Sequence, residues 1–147
     1  MILAVLQARS SSTRLPGKVL KPILGRPMLE RQIERIKRSQ LIDRLVVATS
    51  TVEEDGVIAD LCKSAGVDCF RGSLDDVLDR FYQAARQHNP EHVVRLTGDC
   101  PLADPEVIDT VVRFAVDGRY DYASNTLQPT YPDGLDVEVC RFAALEQ

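Results

Sequence analysis

Three cations fall within one short, hydroxyl-rich segment, LQARSSSTRLPGKVL at residues 6–20: Arg9, Arg14 and Lys18. Ser10, Ser11, Ser12 and Thr13 lie between them. Lys21 and Arg26 follow, and the first acidic residue is Glu30, although the whole chain carries a formal net charge of -4. Arginine grips phosphate oxygens in a bidentate fork, and lysine acts as a mobile point charge. Together with loop N–H groups and hydroxyls, these side chains suit a polyphosphate. A solvated basic turn is the competing reading, but it does not explain why the cations gather, without an acid, directly behind the apolar run MILAVL.

A second chemical segment is RLTGDCPL, residues 95–102. Asp99 follows Gly98 at the end of an apolar run, where a carboxylate can hold Mg²⁺ against nucleotide phosphates. The plainer reading is a turn aspartate before Pro101. Cys100 is a poor partner for such a hard cation, which prefers oxygen. The third segment, RGSLDDVLDR at residues 71–80, sets Asp75 with Asp79 and Asp76 with Arg80 at helical spacing. First-turn acids that favour a helix N-terminus account for much of it. A fourth, TYPDGLDVEV at residues 130–139, has a turn at Asp133-Gly134, then Asp136 and Glu138 on one strand face with Val137 and Val139 on the other. Those two acids are either solvated or line a sugar pocket. His88 and His92 flank an Asn-Pro-Glu turn and read as surface residues without a role.

These segments need a frame. ILAVLQ (2–7) and RLVVATS (44–50) read as buried strands, too continuous for half-exposed ones. VDCF (67–70) is a weaker strand, HVVRLTG (92–98) a strong one, and YDYAS (120–124) and LDVEV (135–139) are later ones. Pro27 opens a helix with Met28, Leu29, Ile33 and Ile36 on one face. Ser50 with Glu53, and Thr51 with Glu54, have capping-box spacing, and Gly66 supplies the stop. Ser73 with Asp76 precedes a helix through VLDRFYQAAR, and Asp104-Pro105 starts another that stops at Gly118. CRFAALEQ reads as the first turns of a last helix. Strands alternating with helices predict an α/β fold, with a mostly parallel sheet covered on both faces. In such a sheet ligands bind at the carboxyl ends of the strands, which is where the basic loop and Asp99 fall.

The 147 residues fit one domain, with 44% hydrophobic and 27% charged residues. No apolar run reaches the roughly 20 residues that span a bilayer. The reading is therefore a cytoplasmic protein with no membrane partner. The acidic balance argues against nucleic-acid binding. Cys62, Cys69, Cys100 and Cys140 form no C-x-x-C pair, so neither a zinc ribbon nor a thioredoxin-type site is signalled.

QARSSSTRLPGKVL, RGSLDDVLDRF, RLTGDCPLADPEVID and YPDGLDVEV together resemble the cytidylyltransferases that make CMP-activated sugars, above all the spore-coat polysaccharide biosynthesis F-type branch. The enzyme activating 3-deoxy-manno-octulosonate is a more distant relative. The resemblance runs along essentially the whole chain. It implies a Rossmann-like, three-layer nucleotide-diphospho-sugar transferase fold, here the N-terminal part of the family's full domain and incomplete at the C-terminus. It also implies that CTP and a sugar are the substrates, that Mg²⁺ is the cofactor, and that CMP-sugar and pyrophosphate are the products. Carried over position by position, Arg9 and Lys18 are catalytic. Leu6, Ala8, Arg9, Arg14, Lys18, Arg71, Gly72 and Asp76 bind the nucleotide, and Asp99 binds the metal. Asn125, Asp136 and Glu138 fall where the sugar would sit. Family members continue further, into a part that supplies a second metal-binding aspartate and much of a homodimer interface. A sugar-1-phosphate nucleotidylyltransferase would favour a Gly-rich first loop, and a glycosyltransferase a D-x-D motif. A non-catalytic nucleotide-binding fragment is the reading from a different class.

Overall fold

The computed structural model describes residues 1–11 and 15–147. Its first strand, β1 (Ile2–Gln7), has no polar alternation. The reason is its place in the sheet: Leu3, Ala4, Val5 and Leu6 are all fully buried, because helices cover both faces. Two short strands follow, β2 (Pro22–Ile23) and β3 (Arg26–Pro27), paired antiparallel around Leu24 and Gly25. Both turn residues have positive φ, 49° and 78°, the mirror-image turn that suits a two-residue hairpin. The sequence pattern did not anticipate this hairpin, since a leucine is an unusual occupant of that conformation. Helix α1 (Met28–Ile36) then lays Met28, Leu29, Ile33 and Ile36 on the sheet, as their spacing predicts.

The remaining elements are β4 (Arg44–Ser50), α2 (Gly56–Ser64), β5 (Asp68–Gly72), α3 (Val77–Arg86), β6 (His92–Thr97), α4 (Pro105–Gly118), β7 (Tyr122–Ser124), β8 (Glu138–Arg141) and α5 (Phe142–Leu145). The six-stranded sheet runs β5-β4-β1-β6-β8-β7. β5, β4, β1 and β6 are parallel, and β8 is antiparallel to both of its neighbours. Helices α1, α2 and α4 pack on the face carrying Ala4, Leu6, Val47 and Leu96. Helices α3 and α5 pack on the opposite face, against Leu3, Val5, Val46 and Val93. The predicted three-layer α/β fold is therefore present, with β7 and β8 as an antiparallel extension.

Several local expectations are corrected. α2 starts only at Gly56, after a tight turn at residues 53–55, because Ser50 and Asp55 bond to each other rather than cap the helix. Asp76, not Ser73, caps α3, accepting from the Asp79 N–H at 2.8 Å. Arg80 does not pair with Asp76; its guanidinium is buried and donates to the Ser73 and Leu74 carbonyls. The expected stop of α4 at Gly118 does hold, and it is Arg119 that takes the left-handed conformation, with φ 54°. A Cβ at Gly118 would meet the exposed Tyr120 ring at 2.1 Å, and the ring would have to turn away. His92 is buried at the start of β6, not exposed in a turn. β8 begins at Glu138, so Asp136 precedes the strand instead of sharing its face. The amide of Asn125 takes the place of the ladder there: its Nδ2 donates to the Leu135 carbonyl and its Oδ1 accepts from the Val137 N–H.

Candidate active site

The chain turns from β1 to β4 on one side and returns to β6 on the other, so the carboxyl ends of β1 and β6 flank the switch point of the sheet. There the two strands are drawn together. The Gly98 N–H donates to the Gln7 carbonyl at 2.7 Å, and the Ala8 N–H to the Ala48 carbonyl at 3.1 Å. Gly98 has no room for a side chain: a Cβ would lie 2.8 Å from both the Ala8 Cβ and the Gln7 oxygen. The Gln32 side chain, fully buried on α1, donates to the Thr97 carbonyl at 2.7 Å and holds the end of β6. Asp99 is thus delivered, one residue later, to the mouth of the crevice.

The first loop returns to the same point. Its base is closed by the Gly17 N–H donating to the Ser10 carbonyl at 2.9 Å, with Gly17 at φ 66° as its left-handed position requires. Lys18 begins a single 3-10 turn that is pinned by the buried Val19. Its Nζ lies 3.1 Å from Asp99 Oδ2. A half-exposed ion pair contributes little to stability. What matters is position: the two predicted groups meet across the β1–β6 crevice. Burial pushes the Asp99 carboxyl up, but hydrogen bonds from Lys18 and Thr97 and the Lys18 charge outweigh it. The group is held below the ordinary carboxylate range and is anionic at neutral pH. Arg9 is exposed, with no hydrogen bond or ion pair among the described residues. Arg14 lies outside the described residues, as do Ser12 and Thr13.

The other nucleotide candidates divide. Ala8 is buried in the crevice wall, so only its backbone can meet a ligand. Leu6 is fully buried and registered between Val47 and Leu96, which places its side chain in the core. Arg71 is exposed and anchored to the end of β4: Nε donates to the Ser50 carbonyl at 2.9 Å and Nη2 to the Val52 carbonyl at 2.7 Å. Gly72 lies over Arg80, whose Cγ would be 3.1 Å from an added Cβ. Asp76 serves as the α3 cap described above. The Arg80 guanidinium, whose Nε lacks a partner, is lowered in pKa by burial and by Arg9, against the opposing charges of Asp55 and Asp76.

The sugar candidates also separate. Glu138 accepts from Arg95 and, at 2.8 Å, from the Tyr122 hydroxyl. This trio lines a cleft of about 550 Å³ on the α3 face, together with Gln7, Phe81 and Leu78. Burial, then the hydrogen bond to Glu138, raises the Tyr122 hydroxyl pKa. Asp136 is exposed, and its charge acts on the Cys100 thiol next to Asp99. The Cys100 thiol is pushed up by burial and by both carboxylate charges, and so stays protonated. Asn125 spends its amide on the β7–β8 edge.

Among the described residues no group of three or more His, Cys, Asp or Glu could hold a metal ion. The donor set at the crevice still fits a hard divalent cation. Asp99 is an anionic oxygen donor with the Asp136 charge nearby, and phosphate oxygens would complete the coordination. No described helix is long and apolar enough to cross a membrane. Nothing in the sequence pattern singles out Asp55, the fully buried acid between β4 and α2, which takes hydrogen bonds from both Ser10 and Ser50.

Comparison with known proteins adds the following. Residues 3–143 match the cytidylyltransferase family. The chain is 43% identical to an uncharacterized protein of Methanocaldococcus jannaschii, over 99% of this chain and 59% of that protein. It is 41% identical to the spore coat polysaccharide biosynthesis protein SpsF of Bacillus subtilis, over 99% of this chain and 65% of that one. Among solved structures, it is similar to a cytidylyltransferase from Leptospira borgpetersenii with a TM-score of 0.94 and 37% identity, covering 99% of this chain and 62% of that one. The chain thus spans less than two thirds of the length of these relatives.

Proposed function

Since this chain belongs to the cytidylyltransferase family, we propose that it transfers CMP from CTP to a sugar and releases pyrophosphate, in the making of a surface or spore-coat polysaccharide. The observation that carries this reading is the Lys18–Asp99 pair, 3.1 Å apart at the β1–β6 crevice. A triphosphate-binding cation and a metal-binding carboxylate are needed within one ligand's reach, and the sequence holds them 81 residues apart.

The chemistry follows from the charges. A sugar hydroxyl oxygen forms a bond to the α-phosphorus, and the bond from that phosphorus to the bridging oxygen breaks in line. The hydroxyl proton leaves to solvent or product, and the electron pair departs with pyrophosphate. Charge grows on the leaving oxygens, where Lys18 and the exposed Arg9 neutralise it. Asp99 would hold Mg²⁺, which supplies Lewis-acid polarisation of phosphate oxygens when bound. Ala8 and Gly98, packed without free space, exclude water from the back of the crevice. Glu138 and Tyr122 at the cleft are the groups offered to sugar hydroxyls. The whole protein is read as a cytoplasmic homodimer, with residues 1–147 as the N-terminal part of its domain.

The test is a thermal-shift titration with CTP, UTP, GTP and ATP, with and without Mg²⁺, on wild type and Lys18→Ala. A ligand that binds only the folded state stabilises by RT ln(1 + [L]/Kd). The expected result is a Mg²⁺-dependent shift that is largest for CTP and lost in the variant. In turnover, Lys18→Ala should cost roughly 10²–10³-fold, the scale of losing one preorganised charge-stabilising group. No shift with any nucleotide would end this reading for the chain.

A further inference from the structure

We infer that Asp55 is a positioning residue that sets the first loop for the triphosphate, an inference that rests on the proposed function. Asp55 is fully buried, yet no ion pair to it occurs among the described residues. Its carboxylate is satisfied entirely by two serines. Oδ1 accepts from the Ser10 N–H at 2.7 Å and from the Ser10 hydroxyl at 2.6 Å. Oδ2 accepts from the Ser50 N–H at 3.2 Å and from the Ser50 hydroxyl. Ser50 is the last residue of β4, so one oxygen is tied to the rigid sheet and the other to the loop.

The arrangement matters because of what Ser10 joins. Its carbonyl accepts from Gly17 at 2.9 Å, closing the loop at its base. Arg9 is the residue before Ser10, and Lys18 is the residue after Gly17. A single buried carboxylate therefore fixes the backbone from which both cations project, and it does so through the residue where the loop begins and ends. Buried polar groups in low dielectric hold geometry strongly when fully satisfied. A loose loop would leave both cations in place but unaligned, and electrostatic stabilisation depends on alignment made before the reaction.

Asparagine at this position keeps the shape but turns one oxygen into an N–H₂ group. That group cannot accept from a backbone N–H, so one of the two serine clamps must open. Amide hydrogen exchange on the ligand-free chain reads this without any nucleotide. In Asp55→Asn, exchange at Ser10, Gly17 and Lys18 should rise about tenfold or more, with the central strands β1 and β6 unchanged. The CTP dissociation constant, measured by calorimetry, should rise roughly tenfold, the scale of losing one hydrogen bond to a charged group. Ser10→Ala removes only the hydroxyl and should move both readouts the same way by a smaller factor. The double variant should bind CTP no worse than Asp55→Asn does. Should Asp55→Asn fail to fold, Ser10→Ala decides, with faster exchange at Gly17 expected. Unchanged loop exchange in the folded variants, or CTP binding untouched while wild type binds, overturns the inference. A wild type that binds no nucleotide overturns the proposed function instead, and leaves the exchange result to judge the loop.

Discussion

Replacing Gly98 with alanine tests the crevice at its tightest point. The added Cβ would sit 2.8 Å from the Gln7 oxygen, 2.8 Å from the Ala8 Cβ and 3.2 Å from the Ala8 Cα. Two of these are backbone atoms of a central strand, and none is the free end of a long side chain. The carboxyl ends of β1 and β6 must therefore separate by several tenths of an ångström, weakening the 2.7 Å bond from Gly98 to Gln7. Overpacking of this kind costs about 1–3 kcal/mol, and a weakened backbone hydrogen bond about 1 kcal/mol. The reduced freedom of the unfolded chain returns roughly 0.4–1 kcal/mol. The net is about 1–3.5 kcal/mol of lost stability, which for a chain of this size lowers Tm by roughly 3–10 °C. Gly56→Ala is the control: that position has open space and opens α2 with helical backbone, so stability should hold or rise slightly. Thermal denaturation followed by circular dichroism compares the three proteins. A drop of less than about 2 °C for Gly98→Ala would refute the reasoning, given the scale expected for overpacking. Where the variant remains folded, its CTP-induced shift should also shrink, because Asp99 is displaced from Lys18.

Two further perturbations address residues whose roles the structure changed. Burial, followed by the Arg141 charge, holds the His92 imidazole below its ordinary value, against the opposing pull of Glu91. The unfolded chain then takes up a proton that the folded one resists, so stability should fall as pH drops below about 6.5. His92→Gln should flatten that slope in urea titrations at successive pH values, and an equally steep slope in the variant would exclude the histidine as its source. Asn125→Ala removes the bonds to Leu135 and Val137 at 2.8 and 2.9 Å. It should cost about 1–3 kcal/mol in denaturant while leaving the CTP dissociation constant unchanged; lost sugar turnover at full stability would restore the residue to the sugar site.

What was legible in the chain without coordinates was whatever depends on local chemistry and periodicity. β1 and β4 cover the segments 2–7 and 44–50 that read as buried strands, since a strand buried on both faces shows a continuous apolar stretch instead of alternation. Asp104-Pro105 marks the start of α4 because a capping carboxylate and a fixed φ act within one turn. The charge asymmetry of the first loop, and its location behind a parallel strand, put its cations at the carboxyl end of the sheet, where Lys18 meets Asp99. Long-range pairing decided the rest. Asp55 and Ser10 are 45 residues apart, and no local pattern links them until β1 and β4 are side by side. Arg71 and Asn125 have the composition of ligand-binding residues, and their bonds to distant carbonyls and N–H groups are contacts that no local pattern shows. Asp136 and Glu138 alternate as one strand face would, yet the ladder with β6 begins only at Glu138, so the fold leaves Asp136 exposed before the strand and puts Glu138 in the Arg95 cleft.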